Sequence, residues 1–305
     1  MRLTTRLLRL TFCAAVLSGF AAESAFAQKA GDVVSVTRKT DLTSGDRVVA
    51  TVEVGNTLVV GGVEKDKLWV NCRAAGWIDR DAVVPLADAI KHFDARLKAD
   101  AEDAEALYGR GRAYQALEKW DRAVEDYTAA IAAEPTKTAS YLARAAARTR
   151  KRDYDGALAD YAEVLRLDPL DHQAYRLRAG VYIDQKKYGE AVADYNVAAR
   201  LFPNDGALNN DRAWLLATCP NETYRNGAQA VKDATLACEL CGFKTYNRLG
   251  TLAAAYAETG DFDKAVEWQK KAVALTPASH RQAQQTRLRL YESGKPHREF
   301  AGLWK

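Results

Sequence analysis

Residues 119–135 read KWDRAVEDYTAAIAAEP, residues 153–169 read DYDGALADYAEVLRLDP, and residues 187–203 read KYGEAVADYNVAARLFP. The segments are 34 residues apart, and several columns agree at once: Ala123, Ala157 and Ala191; Tyr127, Tyr161 and Tyr195; Pro135, Pro169 and Pro203. Within each segment the apolar residues recur at helical spacing, which predicts an amphipathic helix. Proline then ends it, because it cannot continue the hydrogen-bond ladder. A fixed period of this length marks an array of small units, each burying its apolar face against its neighbours.

This column pattern resembles the tetratricopeptide repeat, whose unit is a hairpin of two helices. On that frame repeat one is 104–137, repeat two 138–171 and repeat three 172–205. The resemblance implies small residues on the first helix at Gly111, Ala145 and Ala179, facing those on the second at Ala123, Ala157 and Ala191. Repeat five is 246–279, with Tyr256, Gly260, Ala265, Ala272 and Pro277 in register. Repeat four, 206–245, carries about six extra residues around Cys219-Pro220-Asn221 to Asn226-Gly227, and Ala230 takes its second-helix small position. The expected fold is mainly α: a solenoid over 104–279, preceded by a small all-β barrel.

One pair of columns departs from the common pattern. The first helices carry Arg110, Arg144, Arg178 and Arg212, and the second helices carry Asp126, Asp160, Asp194 and Asp233. In repeat five both columns turn apolar together, as Leu252 and Trp268. Joint presence and joint loss predict a structural ion pair across each hairpin, with the guanidinium fork suited to a carboxylate. Unless shielded, each is worth under about 1 kcal/mol.

The frame extends beyond the repeats. One period before Ala123 and Tyr127 stand Ala89 and Phe93. Residues 86–103 are therefore expected to form a linker helix docked as a half-repeat, starting after Pro85. Residues 280–305 are expected to supply a polar cap helix, which an uncapped solenoid edge requires, and a tail in which Phe300 and Trp304 can fold back.

Residues 28–85 differ in kind. Short β-prone runs at Val33–Val36, Val48–Val52, Leu58–Val60, Leu68–Val70 and Trp77-Ile78 are separated by glycine-containing turns, which predicts a barrel of about five strands. Trp69-Val70 followed by Gly76-Trp77-Ile78 resembles the bacterial Src-homology-3-like barrel. Residues 1–27 read as a secretory signal: basic Arg2, Arg6 and Arg9, an apolar Leu10–Ala22 too short to span a bilayer, and Ala25-Phe26-Ala27 before the cleavage point. The expected mature chain begins at Gln28, is periplasmic or secreted, and has no membrane segment.

Composition sets bounds on function. The 305 residues are 48% hydrophobic and 28% charged, with a net charge of +4, which gives no case for nucleic acid or an anionic membrane. His92, His172, His280 and His297 have no neighbours at metal-ligand spacing, and no phosphate loop, nucleophile elbow or zinc-protease motif occurs. No catalytic residue, cofactor or metal is assigned. Cys238 and Cys241 are expected in the last turn of a helix, where the dipole does not activate a thiol, and a Cys219–Cys238 bridge is excluded by the length of the hairpin.

In proteins of the resembled family the first helices line a concave groove. That frame puts Tyr108, Arg112, Gln115, Leu142, Arg150, Arg176, Ile183, Asn210 and Trp214 on it. The subclass that grips a chaperone carboxylate uses Lys, Asn, Asn, Lys and Arg, where this chain has Tyr108, Arg112, Ala143, Gln173 and Leu177; that partner is not expected. Two functions stay open: an exported, non-enzymatic scaffold binding a protein or peptide in the groove, or a cell-wall-binding protein acting through the barrel.

Overall fold

The computed structural model describes residues 29–71 and 74–298. The signal segment, Gln28, Cys72, Phe300 and Trp304 lie outside the described residues.

The N-terminal module alternates buried and exposed residues along its strands. Leu58 and Val60 are buried while Val59 between them is exposed, and Leu68, Val70 and Ile78 point inward opposite Trp69 and Trp77. The strands are β1 (Val33–Val36), β2 (Thr40–Ser44), β3 (Arg47–Val52), β4 (Thr57–Glu64), β5 (Lys67–Asn71), β6 (Ala75–Asp79) and β7 (Val83–Pro85). They form one antiparallel sheet ordered β3-β2-β6-β5-β4-β1-β7. This corrects the expected barrel of about five strands: there are seven among the described residues, and no ladder joins β3 to β7. The last strand runs directly into α1 (Leu86–Ala99), so no further strand follows β7 to join it to β3. The inner face still forms a core of Val34, Val36, Leu42, Val52, Leu58, Val60, Leu68, Val70 and Ile78.

Then follow five hairpins: α2 (Ala104–Ala116) with α3 (Trp120–Ala133), α4 (Thr138–Arg150) with α5 (Tyr154–Leu167), α6 (His172–Asp184) with α7 (Tyr188–Leu201), α8 (Gly206–Thr218) with α9 (Gly227–Glu239), and α10 (Tyr246–Glu258) with α11 (Phe262–Leu275). Helix α12 (Ala278–Glu292) caps the array. Asp103, Asp153, Asp171, Asp205 and Asp261 each accept a hydrogen bond from a first-turn amide of the following helix, which satisfies a donor the helix leaves open. The extra residues of repeat four make a single 3-10 turn, Glu222–Tyr224. The alanine column and Tyr127, Tyr161 and Tyr195 are fully buried at the hairpin contacts.

The turn inside each of the first three hairpins is one motif with the same closing bond. Lys119, Asp153 and Lys187 donate their amides to the carbonyls of Tyr114, Arg148 and Tyr182. The residue before each is left-handed: Glu118 at φ 57°, Arg152 at 63° and Lys186 at 61°. Repeat five puts Gly260 there. A side chain in this conformation costs about 1–2 kcal/mol, and glycine returns part of that as chain entropy. Lys186→Gly is therefore expected to stabilise the chain by about 0.5–1 kcal/mol. An unchanged or lower urea midpoint would contradict this account of the turn.

The sheet and the solenoid share a core. Val54, Ala89, Phe93, Ala106 and Ala113 pack together, with Val84, Leu86, Ile90 and Leu97 around them. Helix α1 thus docks on α2 as a half-repeat would, while the turn between β3 and β4 closes the same cluster. Tyr114 of α2 lies in the next cluster, with Tyr127. Gly109 makes the approach feasible: a Cβ there would stand 2.5 Å from the Phe93 ring.

Candidate functional site

The hairpins are held by charge as well as by packing. Arg110, Arg144, Arg178 and Arg212 each donate through Nε and one terminal nitrogen to the two carboxylate oxygens of Asp126, Asp160, Asp194 and Asp233, at 2.7–3.0 Å. All four aspartates are buried. The sequence frame does not show where the remaining guanidinium nitrogen goes. In three repeats it reaches back to the preceding helix: Arg110 to Asp94 on α1 (2.6 Å), Arg144 to Thr128 on α3 (3.1 Å) and Arg212 to Asn196 on α7 (3.4 Å). Each contact is 16 residues upstream, a spacing that could have flagged it. In repeat three that position is Ala162. Arg148 adds a second cation to Asp160 at 2.8 Å. Hydrogen bonds donated to Asp126 and Asp194 raise the pKa of Arg110 and Arg178, while burial pushes Asp126 up although Arg110 pulls it down.

Contacts between successive first helices join α2 to α4, α4 to α6 and α8 to α10. On the repeat frame these helices face the groove.

The nine groove residues have different surroundings. Leu142 on α4 and Ile183 on α6 are half-buried, each packed against the core cluster of its repeat. Arg150 lies with its guanidinium 5.4 Å from the Trp120 ring centroid. Tyr108 tilts against Tyr127, whose hydroxyl donates to Gln115 Oε1 at 2.7 Å, so Gln115 is held in the hairpin. Arg112 lies beneath the sheet: a Cβ on Gly55 would stand 2.6 Å from Arg112 Cβ. Arg176 bridges from α6 to α8, its guanidinium 2.6 Å from Asp211. Burial raises the Asp211 pKa, and Arg176 opposes this. Asn210 Oδ1 is buried and accepts no hydrogen bond. Trp214 is flanked by Arg287 of α12, 5.1 Å from its ring centroid, and by His297 at 5.7 Å. Arg112 and Trp214, near the two ends of the set, are thus packed against the sheet turn and α12 respectively.

The described cysteines Cys219, Cys238 and Cys241 are free thiols. Burial pushes Cys238 up to about 12 and raises Cys219 as well. The placement of Cys241 corrects the sequence expectation: α9 ends at Glu239, so Cys241 lies beyond it, next to the start of α10. Burial alone would raise its pKa, but Thr245, the Lys244 amide and Arg248 hold it below the usual thiol value. Among the described residues no group of three His, Cys, Asp or Glu could hold a metal, and no helix is long and apolar enough to cross a membrane.

Residues 104–137, 142–206 and 246–279 each match a tetratricopeptide-repeat family model. The helical array is a tetratricopeptide-repeat solenoid. Repeat four falls between the matched segments because its insertion breaks the period, yet α8 and α9 complete the same hairpin. Solved structures with this arrangement include Pseudomonas aeruginosa PilF, 19% identical, covering 66% of this chain and 89% of that one with a TM-score of 0.55. Yeast Tom70 is 20% identical over 67% of this chain and 43% of its own, with a TM-score of 0.54. A chain of the Cut9–Hcn1 hetero-tetramer is 15% identical over 68% of this chain and 40% of its own, with a TM-score of 0.57. The protein thus spans less than half of the latter two, and the likeness is one of fold. Comparison with curated proteins gave no match.

Proposed function

We propose that this protein is an exported, non-catalytic scaffold that holds a protein or peptide partner in the middle of the concave groove. The repeat array itself carries the reading: residues 104–137, 142–206 and 246–279 match tetratricopeptide-repeat models, and stacked repeats of this kind present an extended concave surface. Leu142 and Ile183 supply apolar contact, and Arg150 beside Trp120 supplies an anchor of the type that dominates interfaces. The test is a crosslinking capture from the native envelope with wild type and the Asn210→Ala/Ile183→Glu double variant. Loss of the same adducts in the variant is expected. An unchanged adduct pattern would refute the groove as the binding face.

Export rests on the basic start, the short apolar run and Ala25-Phe26-Ala27. N-terminal mass spectrometry of the exported form is expected to find Gln28 first; an intact Met1 start would overturn it.

The second reading is wall contact through the sheet, which resembles bacterial Src-homology-3-like barrels in sequence. Trp69 and Trp77 meet edge to face at 5.3 Å on its outer surface, and Val33, Val59 and Val63 on the neighbouring strands are exposed. Co-sedimentation of the full chain with purified peptidoglycan, reduced by Trp77→Ala, would favour this reading over the groove.

A further inference from the structure

The end of the described chain returns to the solenoid. Helix α12 stops in a left-handed turn at Gly294, φ 66°, with the Gly294 amide bonded to the Tyr291 carbonyl and the Lys295 amide to the Leu290 carbonyl. This closure reverses the chain direction, and Pro296 follows. Residues 292–295 are exposed, but Pro296, His297 and Arg298 are half-buried. His297 lies 5.7 Å from the Trp214 ring centroid on α8. Arg298 donates to the Ala217 carbonyl at 3.2 Å and ion-pairs with Glu258 at 2.6 Å.

The chemistry around Arg298 suits a guanidinium. Ala217 and Glu258 stand in the last turns of α8 and α10, whose final carbonyls have no partners within their own helices. Two helix C-termini therefore direct their negative ends at one point. Glu258 adds a full charge there, with its side chain only 14% exposed, and Arg225 Nε holds its other oxygen at 3.0 Å. Helix α8 also approaches α10 closely here, which makes the two ends one site. The flat fork sends Nη1 to the carbonyl and Nη2 to the carboxylate, two acceptors that an ammonium would have to serve from a single nitrogen. Trp214 completes the site with an aromatic wall against the preceding residue.

We propose that this corner of the groove is a subsite for an arginine-bearing peptide segment, and that in the free protein its occupant is the chain's own Lys295–Arg298, bound in cis. The proposal rests on the groove reading only in location; the recognition chemistry is independent of any outside partner. A partner reaching α8 and α10 would have to displace this segment, so the strap limits access to the C-terminal part of the groove and leaves its middle open.

The test uses the full chain and a fluorescein-labelled peptide of residues 295–305, followed by anisotropy. Wild type, with the subsite filled, is expected to bind the peptide weakly. His297→Ala/Arg298→Ala in the full chain frees the subsite and is expected to bind it at least tenfold more tightly. A labelled peptide carrying Arg298→Ala should lose that gain. These substitutions lie outside the repeats, and an unchanged thermal melt of α2 to α11 checks that the solenoid is intact. Equal binding by wild type and the double variant, or equal binding of the Arg298→Ala and the unsubstituted peptide by the double variant, would overturn the proposal. Because the probe is the chain's own sequence, failure here would leave the groove reading standing, and failure of the envelope capture would leave this one standing.

Discussion

Phe93→Ala is expected to cost about 3–5 kcal/mol and to loosen the sheet from the solenoid. The ring is fully buried and is the largest side chain in the cluster that joins Val54 of the sheet, Ala89 of α1 and Ala106 and Ala113 of α2. Removing it leaves a cavity that cannot collapse easily, because Gly109 opposite carries no side chain to move in. The damage should stay local. Contacts in a solenoid run between neighbours, so repeats three to five should keep their structure. Hydrogen exchange over 86–115 is the measurement: slow in wild type and fast in Phe93→Ala is expected. Equal, fast exchange in both would mean that α1 is only a tether. The ion pair from Arg110 to Asp94 argues against a tether, since it binds α1 to the first repeat by a second route.

Asp160→Ala is expected to be almost as costly, about 3–5 kcal/mol. The sequence pattern alone sets a ceiling of about 1 kcal/mol for an exposed pair. The structure removes that ceiling by shielding the site. Asp160 is 4% exposed and receives both Arg144 and Arg148, which are 13% and 23% exposed. Losing the carboxylate leaves two guanidinium groups facing each other in a half-buried site. Breaking the exposed Arg166–Glu163 pair on the same helix is the control, expected at under about 1 kcal/mol. Urea unfolding of Asp160→Ala and Glu163→Ala checks the contrast, and similar midpoints would show that the hairpin pairs are not shielded as described.

What could be read from the sequence follows from which contacts are periodic. The 34-residue frame locates the helices, the alanine and tyrosine columns and the Arg–Asp staples, because these recur between the same positions of each repeat. It also reaches Ala89 and Phe93, since α1 occupies the place of a second helix. The frame does not reach contacts made once. Arg112 sits on the groove helix by register, but the turn at Gly55 covers it. Trp214 also has the right register, yet α12 and the segment after it surround the ring. The number of strands was hidden because β2 and β7 carry only two strong β-formers each, Thr40 and Thr43 in β2 and Val83 and Val84 in β7. Their place comes from ladder partners rather than from local preference. Cys241 was misplaced by a turn that ends α9 two residues early.

The central claim is that the concave face of the first helices is where this protein meets a polypeptide. Its most direct test puts a photo-crosslinking side chain at Ile183 on α6, and at the exposed Ala159 of α5 on the opposite side, in the native envelope. Discrete adducts from position 183, absent at 159 and lost on adding Asn210→Ala, are the predicted result. Adducts at 159 equal to those at 183, or none from 183, would contradict it.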